Sequence, residues 1–214
     1  VFDGNGPVST ITACSPTHVW FDVKVKGRAA HAGVEPEKGL SAIKIAAEII
    51  SQLPQGRIDD ETTFNVGTIV GGTVFNAVPE QAYFTGEFRS RNLETLDLLR
   101  IQVLTTLQQA RDRYLEASIN EELKVLFRMY TIDPAGPIVQ MVSRVMEDLG
   151  LAPQISPSGG GTDANVFVEH GLECLVVGMA TNEMHTTREY VRVDELADTA
   201  RFCQALLTST LHSG

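Results

Sequence analysis

Residues 17–26, THVWFDVKVK, decide the fold of the first half of the chain. Large apolar and polar side chains alternate along this stretch with a period of two, which is typical of a strand with one buried face. Small residues interrupt the pattern at 27–33 (GRAAHAG), and apolar residues then recur at helical spacing from Gly39 to Leu53. The pattern therefore predicts a strand, a loop and a helix in succession.

The segments that follow predict a complete small domain. Residues 62–71 (TTFNVGTIVG) and 81–89 (QAYFTGEFR) are rich in strand-forming residues, and glycines and a proline separate them. A long amphipathic segment follows Asn92, which is a good helix N-cap, and residues 119–129 (INEELKVLFRM) read as a fourth strand. The order βαββαβ is that of a ferredoxin-like domain.

The second half of the chain has a different organisation. Helical and strand-like segments alternate from residue 137 to residue 207, and the stretch 172–178 is apolar apart from Glu173, as expected of a strand that is buried on both faces. Such alternation predicts part of an α/β sheet. Only two or three strands are evident, however, which is too few for a complete sheet of this kind. Residues 1–13 are strand-like and fit neither half cleanly.

Composition and charge exclude several classes of function. The chain has 214 residues, and 17 Lys and Arg against 27 Asp and Glu give a net charge of −10. Such a surface repels nucleic-acid phosphates and anionic lipids, and no apolar run approaches the ~20 residues of a membrane span. The three cysteines form no CxxC pair and fit free thiols in a reducing compartment. We therefore expect a cytoplasmic protein with neither a nucleic acid nor a membrane as partner.

Two residues are candidates for metal binding. His185 lies in a polar loop after the apolar strand, and loops at the carboxyl ends of parallel strands are where open α/β sheets build their sites. Asp3, followed by Gly-Asn-Gly, offers a carboxylate on a flexible turn. Imidazole and carboxylate groups are both ligands of divalent metals. A solvated histidine and an ordinary turn aspartate remain open as alternatives.

Three further features are candidates for ligand binding. Small residues flank His31 and would let a ligand approach its ring, although a helix-capping or solvent-facing role is equally open. Asn76 can donate to a carboxylate or an oxyanion, or can stabilise its own turn. The loop Gly159-Gly160-Gly161-Thr162-Asp163 lacks the spacing of phosphate-binding motifs, and its backbone N–H groups suit a peptide or a carboxylate.

Taken together and in order, these signals resemble the M20 family of metallopeptidases, and within it the peptidase T-like, or tripeptidase, branch. The resemblance covers essentially the whole chain and rests on six motifs: DGxG from Asp3, GRxxHAG from Gly27, GGxxxNxVP from Gly71, GEFR from Gly86, GGGTDAN from Gly159 and MHTTREYV from Met184. It implies a ferredoxin-like lid or dimerization domain, residues 16–129, inserted into an α/β catalytic domain. Residues 1–15 and 130–214 would form the C-terminal part of that catalytic domain.

The resemblance also implies roles for individual residues. Asp3 and His185 correspond to ligands of the two metal ions, and His31 to a histidine that stabilises the oxyanion in the active site of a partner subunit. Asn76 corresponds to a lid asparagine that contacts substrate. The glycine-rich loop (Gly159, Gly160, Gly161 and Asp163) corresponds to a loop that flanks the substrate backbone, while Arg89 matches a recurring lid position without an assigned contact.

One departure from the family pattern shapes the functional expectation. The family's His-x-Asp motif, its metal-bridging aspartate and its Glu-Glu pair, which all precede the position of Asp3, have no counterpart in this sequence. The pair Glu121-Glu122 lies in the fourth predicted strand and reads as a solvated strand entry instead. We therefore expect part of a metal-dependent exopeptidase for short peptides, homodimeric through the lid and inactive as this chain alone. The parent enzyme would use two divalent ions, zinc by expectation with manganese or cobalt as alternatives, and this chain would bind them weakly or not at all. The alternative is a non-catalytic ferredoxin-like module for dimerization or small-ligand binding.

Overall fold

The computed structural model describes residues 1–211. The chain forms two compact units. We call residues 17–127 the central unit, and residues 1–16 together with the segment from 128 onward the terminal unit. The last three residues of the predicted segment 130–214 lie outside the described residues.

The fold class is α/β, as predicted. In chain order the strands are β1 (Phe2–Asn5), β2 (Thr10–Ser15), β3 (Thr17–Lys26), β4 (Ala30–His31), β5 (Gly56–Asp59), β6 (Thr62–Gly71), β7 (Ala77–Val78), β8 (Gln81–Ser90), β9 (Ser118–Phe127), β10 (Tyr130–Thr131), β11 (Gln154–Pro157), β12 (Val176–Asn182) and β13 (Tyr190–Val191). The α-helices are α1 (Ala42–Gln52), α2 (Leu93–Arg113), α3 (Pro137–Asp148), α4 (Asp163–Glu169) and α5 (Val193–Leu211).

The central unit has the predicted ferredoxin-like topology. Its sheet runs in the order β5-β6-β8-β3-β9, and α1 and α2 pack against it. The period of two in β3 sends Val19, Phe21, Val23 and Val25 into a common core with the helices. Strand β5, which carries no alternating pattern, was not predicted and extends the sheet at its β6 edge.

Aromatic packing in this core requires a residue without a side chain on β8. Phe64 and Phe88 stack with their ring centroids 5.6 Å apart, and Phe21 packs against both rings. A Cβ at Gly86 would lie 2.3 Å from Phe21 Cζ and 2.6 Å from the carbonyl oxygen of Asn65. Glycine at this position therefore lets the aromatic ring cross the strand.

Both helices of the central unit begin at side-chain caps. Ser41 Oγ accepts from the backbone N–H of Lys44 at 3.2 Å, and Asn92 Oδ1 accepts from the N–H groups of Glu94 and Thr95 at 3.0 and 3.1 Å. These bonds satisfy donors that the first turn of a helix leaves without partners. The predicted capping role of Asn92 is confirmed.

The terminal unit is built on a smaller mixed sheet. The strands run in the order β1-β12-β2-β10. Strand β11 also pairs with β2, in parallel, from Thr10 to Cys14. The strand predicted at 172–178 instead spans Val176–Asn182. Its last two polar residues remain in the strand because Thr181 pairs with Val191 and Asn182 with Tyr190 in β13.

Two smaller expectations also have a structural outcome. Cys14, Cys174 and Cys203 are all free thiols, as their spacing predicted. No helix within residues 1–211 is both long and apolar enough to cross a membrane.

Candidate functional site

A cavity of about 570 Å³ in the terminal unit contains both candidate metal ligands. Asp3 and His185, which are 182 positions apart in the sequence, line this cavity together with the glycine-rich loop. Both residues are exposed. The structure thus brings together groups whose proximity no local sequence pattern could establish.

Asp3 reaches the cavity because β1 lies against β12. The two strands are parallel, and Gly4 pairs with Gly178. A Cβ at Gly178 would lie 2.0 Å from the carbonyl oxygen of Pro7, so only glycine permits this approach of the backbones. A Cβ at Gly4, the glycine after Asp3, would lie 2.8 Å from the carbonyl oxygen of Val177 in β12, so this glycine also belongs to a close strand contact.

The backbone around His185 is strained. His185 has φ +64°, and Ala180 and Glu183 in the same segment have φ +69° and +53°. Non-glycine residues seldom adopt such values, and they persist where the surrounding contacts enforce them. The His185 N–H donates to Glu189 Oε2 at 2.9 Å, and Arg188 pairs with Glu183 at 2.7 Å. These contacts hold the main chain of the loop at His185, whose side chain lines the cavity.

The donor set in the cavity fits part of a metal site. A carboxylate and an imidazole are suitable ligands for zinc or manganese. Within the described residues, however, no group of three or more His, Cys, Asp and Glu side chains is arranged to hold a metal ion. A catalytic zinc site normally has three protein ligands, so Asp3 and His185 supply fewer than one ion requires.

The glycine-rich loop contributes backbone to the cavity. Gly159, Gly160 and Gly161 line it, and Ser15 Oγ donates to the carbonyl of Gly160 at 2.9 Å. Asp163, the fourth predicted member of this group, is the exposed first residue of α4 and is not among the lining residues. The loop can therefore present backbone groups to a ligand. Asp163 instead lies in the first turn of α4, where a carboxylate interacts favourably with the helix dipole.

Asn165 is a supporting residue that sequence reasoning missed. Only 2% of it is exposed, and its Nδ2 donates to Ser15 Oγ at 2.9 Å and to the Arg128 carbonyl at 2.7 Å. Its Oδ1 accepts from the N–H of Thr162 at 3.0 Å, which completes a capping box at α4. The T-x-x-N spacing at the end of GGGTDAN was the available signal.

Tyr130 is a second missed residue at the cavity. It lines the cavity but is only 5% exposed, and its hydroxyl has no hydrogen-bond partner within the described part of the chain. Burial, followed by the nearby thiols of Cys174 and Cys14, raises the pKa of Tyr130 to about 12. The phenol therefore stays protonated near neutral pH.

In the central unit, His31 and Asn76 lie at one short two-stranded ribbon, formed by β4 and β7. Strand β4 pairs with β7, with His31 opposite Ala77, and the N–H of Ala32 donates to the Asn76 carbonyl at 3.0 Å. His31 Nδ1 accepts from the N–H of Gly33 at 3.2 Å. An accepting Nδ1 places the proton of a neutral ring on Nε2, so the exposed ring presents an N–H donor to solvent.

Arg89 has a structural contact. Its Nη2 lies 2.9 Å from Glu87 Oε2, and His18 Nε2 lies 2.6 Å from the same oxygen. Burial and the Arg89 charge lower the pKa of His18, although Glu87 opposes this. Burial would raise the pKa of Glu87, but its bonds and charge interactions with Arg89 and His18 together lower it. The Glu-Phe-Arg motif thus forms an ion cluster on the sheet.

Comparison with known proteins identifies this architecture. Residues 16–114 match the family model described as the peptidase dimerisation domain. The crystal structure of aminopeptidase PepT from Bacillus cereus is 35% identical, with a TM-score of 0.82 over 96% of this chain and 55% of that chain. The structure of a tripeptidase from Staphylococcus aureus is 26% identical, with a TM-score of 0.87 over 96% of this chain and 54% of that one.

A more distant structure shares the fold. The YXEP protein of Bacillus subtilis, described as a dinuclear metal-binding peptidase of the M20 family, is 18% identical, with a TM-score of 0.67 over 100% of this chain and 56% of that chain. These similar proteins are peptide hydrolases, and the matched region of this chain, residues 16–114, is their dimerisation domain. The chain is homologous to peptidase T over most of its length. It spans about 55% of the length of the Bacillus cereus enzyme.

Proposed function

We propose that this chain is part of a metal-dependent exopeptidase, of the tripeptidase or aminopeptidase type, that hydrolyses short peptides. The observation that carries the proposal is the cavity shared by Asp3, His185 and the glycine-rich loop in a homologue of peptidase T. The names of the similar structures, an aminopeptidase and a tripeptidase, support this substrate class.

The candidate residues would have different roles in such a site. Asp3 and His185 would hold divalent metal, which when bound supplies Lewis acidity and an activated water. The backbone of Gly159–Gly161 would align the peptide, and Asn76 would bind its polar groups. His31, with its proton on Nε2, would donate to the oxyanion that develops on the scissile carbonyl. Zinc is the proposed metal, because a mixed carboxylate and imidazole site suits it.

We propose further that the 214-residue chain alone binds metal weakly and hydrolyses no peptide. Its described residues offer two candidate ligands, whereas a catalytic ion needs three. The remaining ligands and the general base would come from the rest of the full-length protein. Steady tripeptide hydrolysis by the 214-residue chain with added zinc, abolished by His185→Ala, would contradict this part of the proposal.

The full-length protein tests the site directly. His185→Ala and Asp3→Ala should each lower kcat on a tripeptide by at least about 100-fold and reduce the metal bound per subunit. His170→Ala is the matched control, because His170 is an exposed histidine of the same unit whose ring bonds only to the Val166 carbonyl among the described contacts. Unchanged metal content and activity in His185→Ala would refute the proposal.

The proposed assembly is a homodimer through the central unit. Helix α2 packs against β8 and β9, and Leu98 and Ile101 are exposed on one face of this helix. Strand β9 is one of the two edge strands of the sheet. An apolar helix face next to an open strand edge is a surface that proteins normally cover. Leu98→Glu with Ile101→Glu should convert a dimer into a monomer in sedimentation experiments. A wild-type protein that is monomeric at micromolar concentration would contradict the proposal.

One observation supports the alternative of a small-ligand-binding module. A cavity of about 780 Å³ lies within the central unit, and its lining includes Lys24, Lys26, Tyr83 and Asn120. A volume of this size suits a small molecule. If the full-length protein bound a metabolite there, showed no peptidase activity and was unaffected by His185→Ala, this alternative would replace the enzyme proposal.

A further inference from the structure

The β4/β7 ribbon, at which His31 and Asn76 lie, has an apolar tip. We define the tip as residues 29–34 and 71–79 of the central unit. Phe75 in this tip is 99% exposed, and Val74 and Val34 are also exposed. An aromatic side chain can bury ~150–250 Å² of surface, so leaving one in water forgoes a large hydrophobic contribution. A ring in this position is therefore expected to contact something else.

Phe75 lies in the loop that leads into β7. It immediately precedes Asn76, whose carbonyl accepts from the N–H of Ala32 at 3.0 Å. His31 lies on the strand that pairs with Ala77. Phe75 and Ala77, the residues on either side of Asn76, line the same cavity, so a ligand held at Asn76 would lie next to the surface to which Phe75 belongs.

The tip also has a distinctive charge pattern. Neither 29–34 (AAHAGV) nor 71–79 (GGTVFNAVP) contains Asp, Glu, Lys or Arg, although such residues make up 21% of the chain. A cavity of about 460 Å³ beside Phe75 is lined only by uncharged residues, among them Ile43, Val74 and Pro79. These surroundings would desolvate a charged group without offering it a partner, so they favour an apolar ligand group.

We propose that Phe75 is a specificity-determining residue, which packs against the side chain of the peptide residue that supplies the scissile carbonyl. This inference rests on the proposed function, because it takes His31 to act on that carbonyl in the active site of a second copy of the chain. The tip then selects peptides in which this residue is apolar and uncharged. His31 and Asn76 hold the polar backbone of the peptide, and Phe75 recognises its side chain.

The test is a substrate panel with the full-length dimeric enzyme. The tripeptides have the form X-Gly-Gly, with X as Gly, Ala, Leu, Phe, Asp or Lys. In Phe75→Ala, kcat/KM for X = Leu and Phe should fall about tenfold, because an apolar contact is worth roughly 10- to 200-fold in discrimination. The value for Gly-Gly-Gly should stay within about twofold, and Phe75→Leu should retain most of the preference.

Controls separate this inference from the proposed function. Leu115→Ala removes an exposed apolar side chain of the central unit outside the tip and should leave the preference intact. If Phe75→Ala lowers kcat/KM equally for all six peptides, or for none, the inference is overturned. If His31→Ala keeps full activity while the enzyme still hydrolyses peptides, the assigned role of the β4/β7 ribbon fails instead. Sedimentation of Phe75→Ala as a dimer shows that the measured change is not a loss of assembly.

Discussion

The pairing of β3 with β8 in the central unit is regular where the pairing of β1 with β12 in the terminal unit is irregular, and the two candidate metal ligands lie in the irregular region. Strands β3 and β8 pair in unbroken register from Thr17 with Ser90 to Lys26 with Gln81. In contrast, β1 changes register against β12 on both sides of Gly4, and residues 180–185 include three non-glycine residues with positive φ. Regular pairing gives a rigid body suited to assembly, whereas irregular backbone can aim individual side chains into a cavity.

The largest expected loss of stability comes from a substitution in the core of the central unit. Phe88→Ala removes a fully buried ring that stacks on Phe64 and should lower the free energy of unfolding by about 3–5 kcal/mol. Phe75→Ala makes the same chemical change at a fully exposed ring and should cost less than about 0.5 kcal/mol. Denaturant unfolding measures both changes, and similar losses in the two variants would show that the aromatic core does not have this energetic role.

An intermediate effect is expected at the strand contact that carries Asp3. In Gly178→Ala the new methyl group meets the carbonyl oxygens of Pro7 and Gly6, so the segment that follows β1 must shift, at a cost of about 1–3 kcal/mol. Gly159→Ala is the control, because a Cβ at Gly159 meets no atom within 4 Å. Thermal unfolding compares the two variants. A destabilised Gly159→Ala with a normal Gly178→Ala would contradict the close approach of residues 6–7 to β12.

The smallest expected effect is a pH dependence of the central unit. The pKa of His18 is lowered below its ordinary 6.5 in the folded protein, so the unfolded chain takes up this proton first and stability falls as the pH drops below about 6.5. The lowered pKa of Glu87 acts in the same direction at more acidic pH, since its contribution is present above the unfolded pKa and is lost as that carboxylate is protonated.

Urea midpoints at pH 7.5 and 5.5 measure this dependence. The wild-type protein should have the lower midpoint at pH 5.5, and His18→Gln should reduce the difference between the two values. An equal or larger difference in His18→Gln would show that other groups cause the pH dependence.

The fold of the central unit could be predicted because its determinants are local. The alternation in 17–26 fixes which face of β3 is buried, and Asn92 marks the start of α2. Strand β5 could not be predicted, because all four of its residues are exposed and it forms only by pairing with β6. Its sequence therefore carries no hydrophobic period.

The candidate site was accessible to sequence reasoning only in part. The motifs identified Asp3 and His185 as polar candidates, but Asp3 lies in strand β1 and not on the predicted turn, and the common cavity of the two residues depends on long-range pairing of β1 with β12. Tyr130 and Asn165 were missed because an isolated tyrosine has no motif and a buried asparagine reads as an ordinary helix residue. Their importance arises from burial and hydrogen bonding, which only the folded chain specifies.

The packing at Gly86 also constrains how this domain can be re-engineered. Shortening Phe21 would remove one of the two obstacles to a side chain at position 86, but the carbonyl oxygen of Asn65 would remain. That obstacle belongs to the main chain of β6, so no compensating substitution at a neighbouring side chain can relieve it. Combinatorial libraries of this sheet should therefore hold position 86 invariant, and diversity should be placed at solvent-facing strand positions.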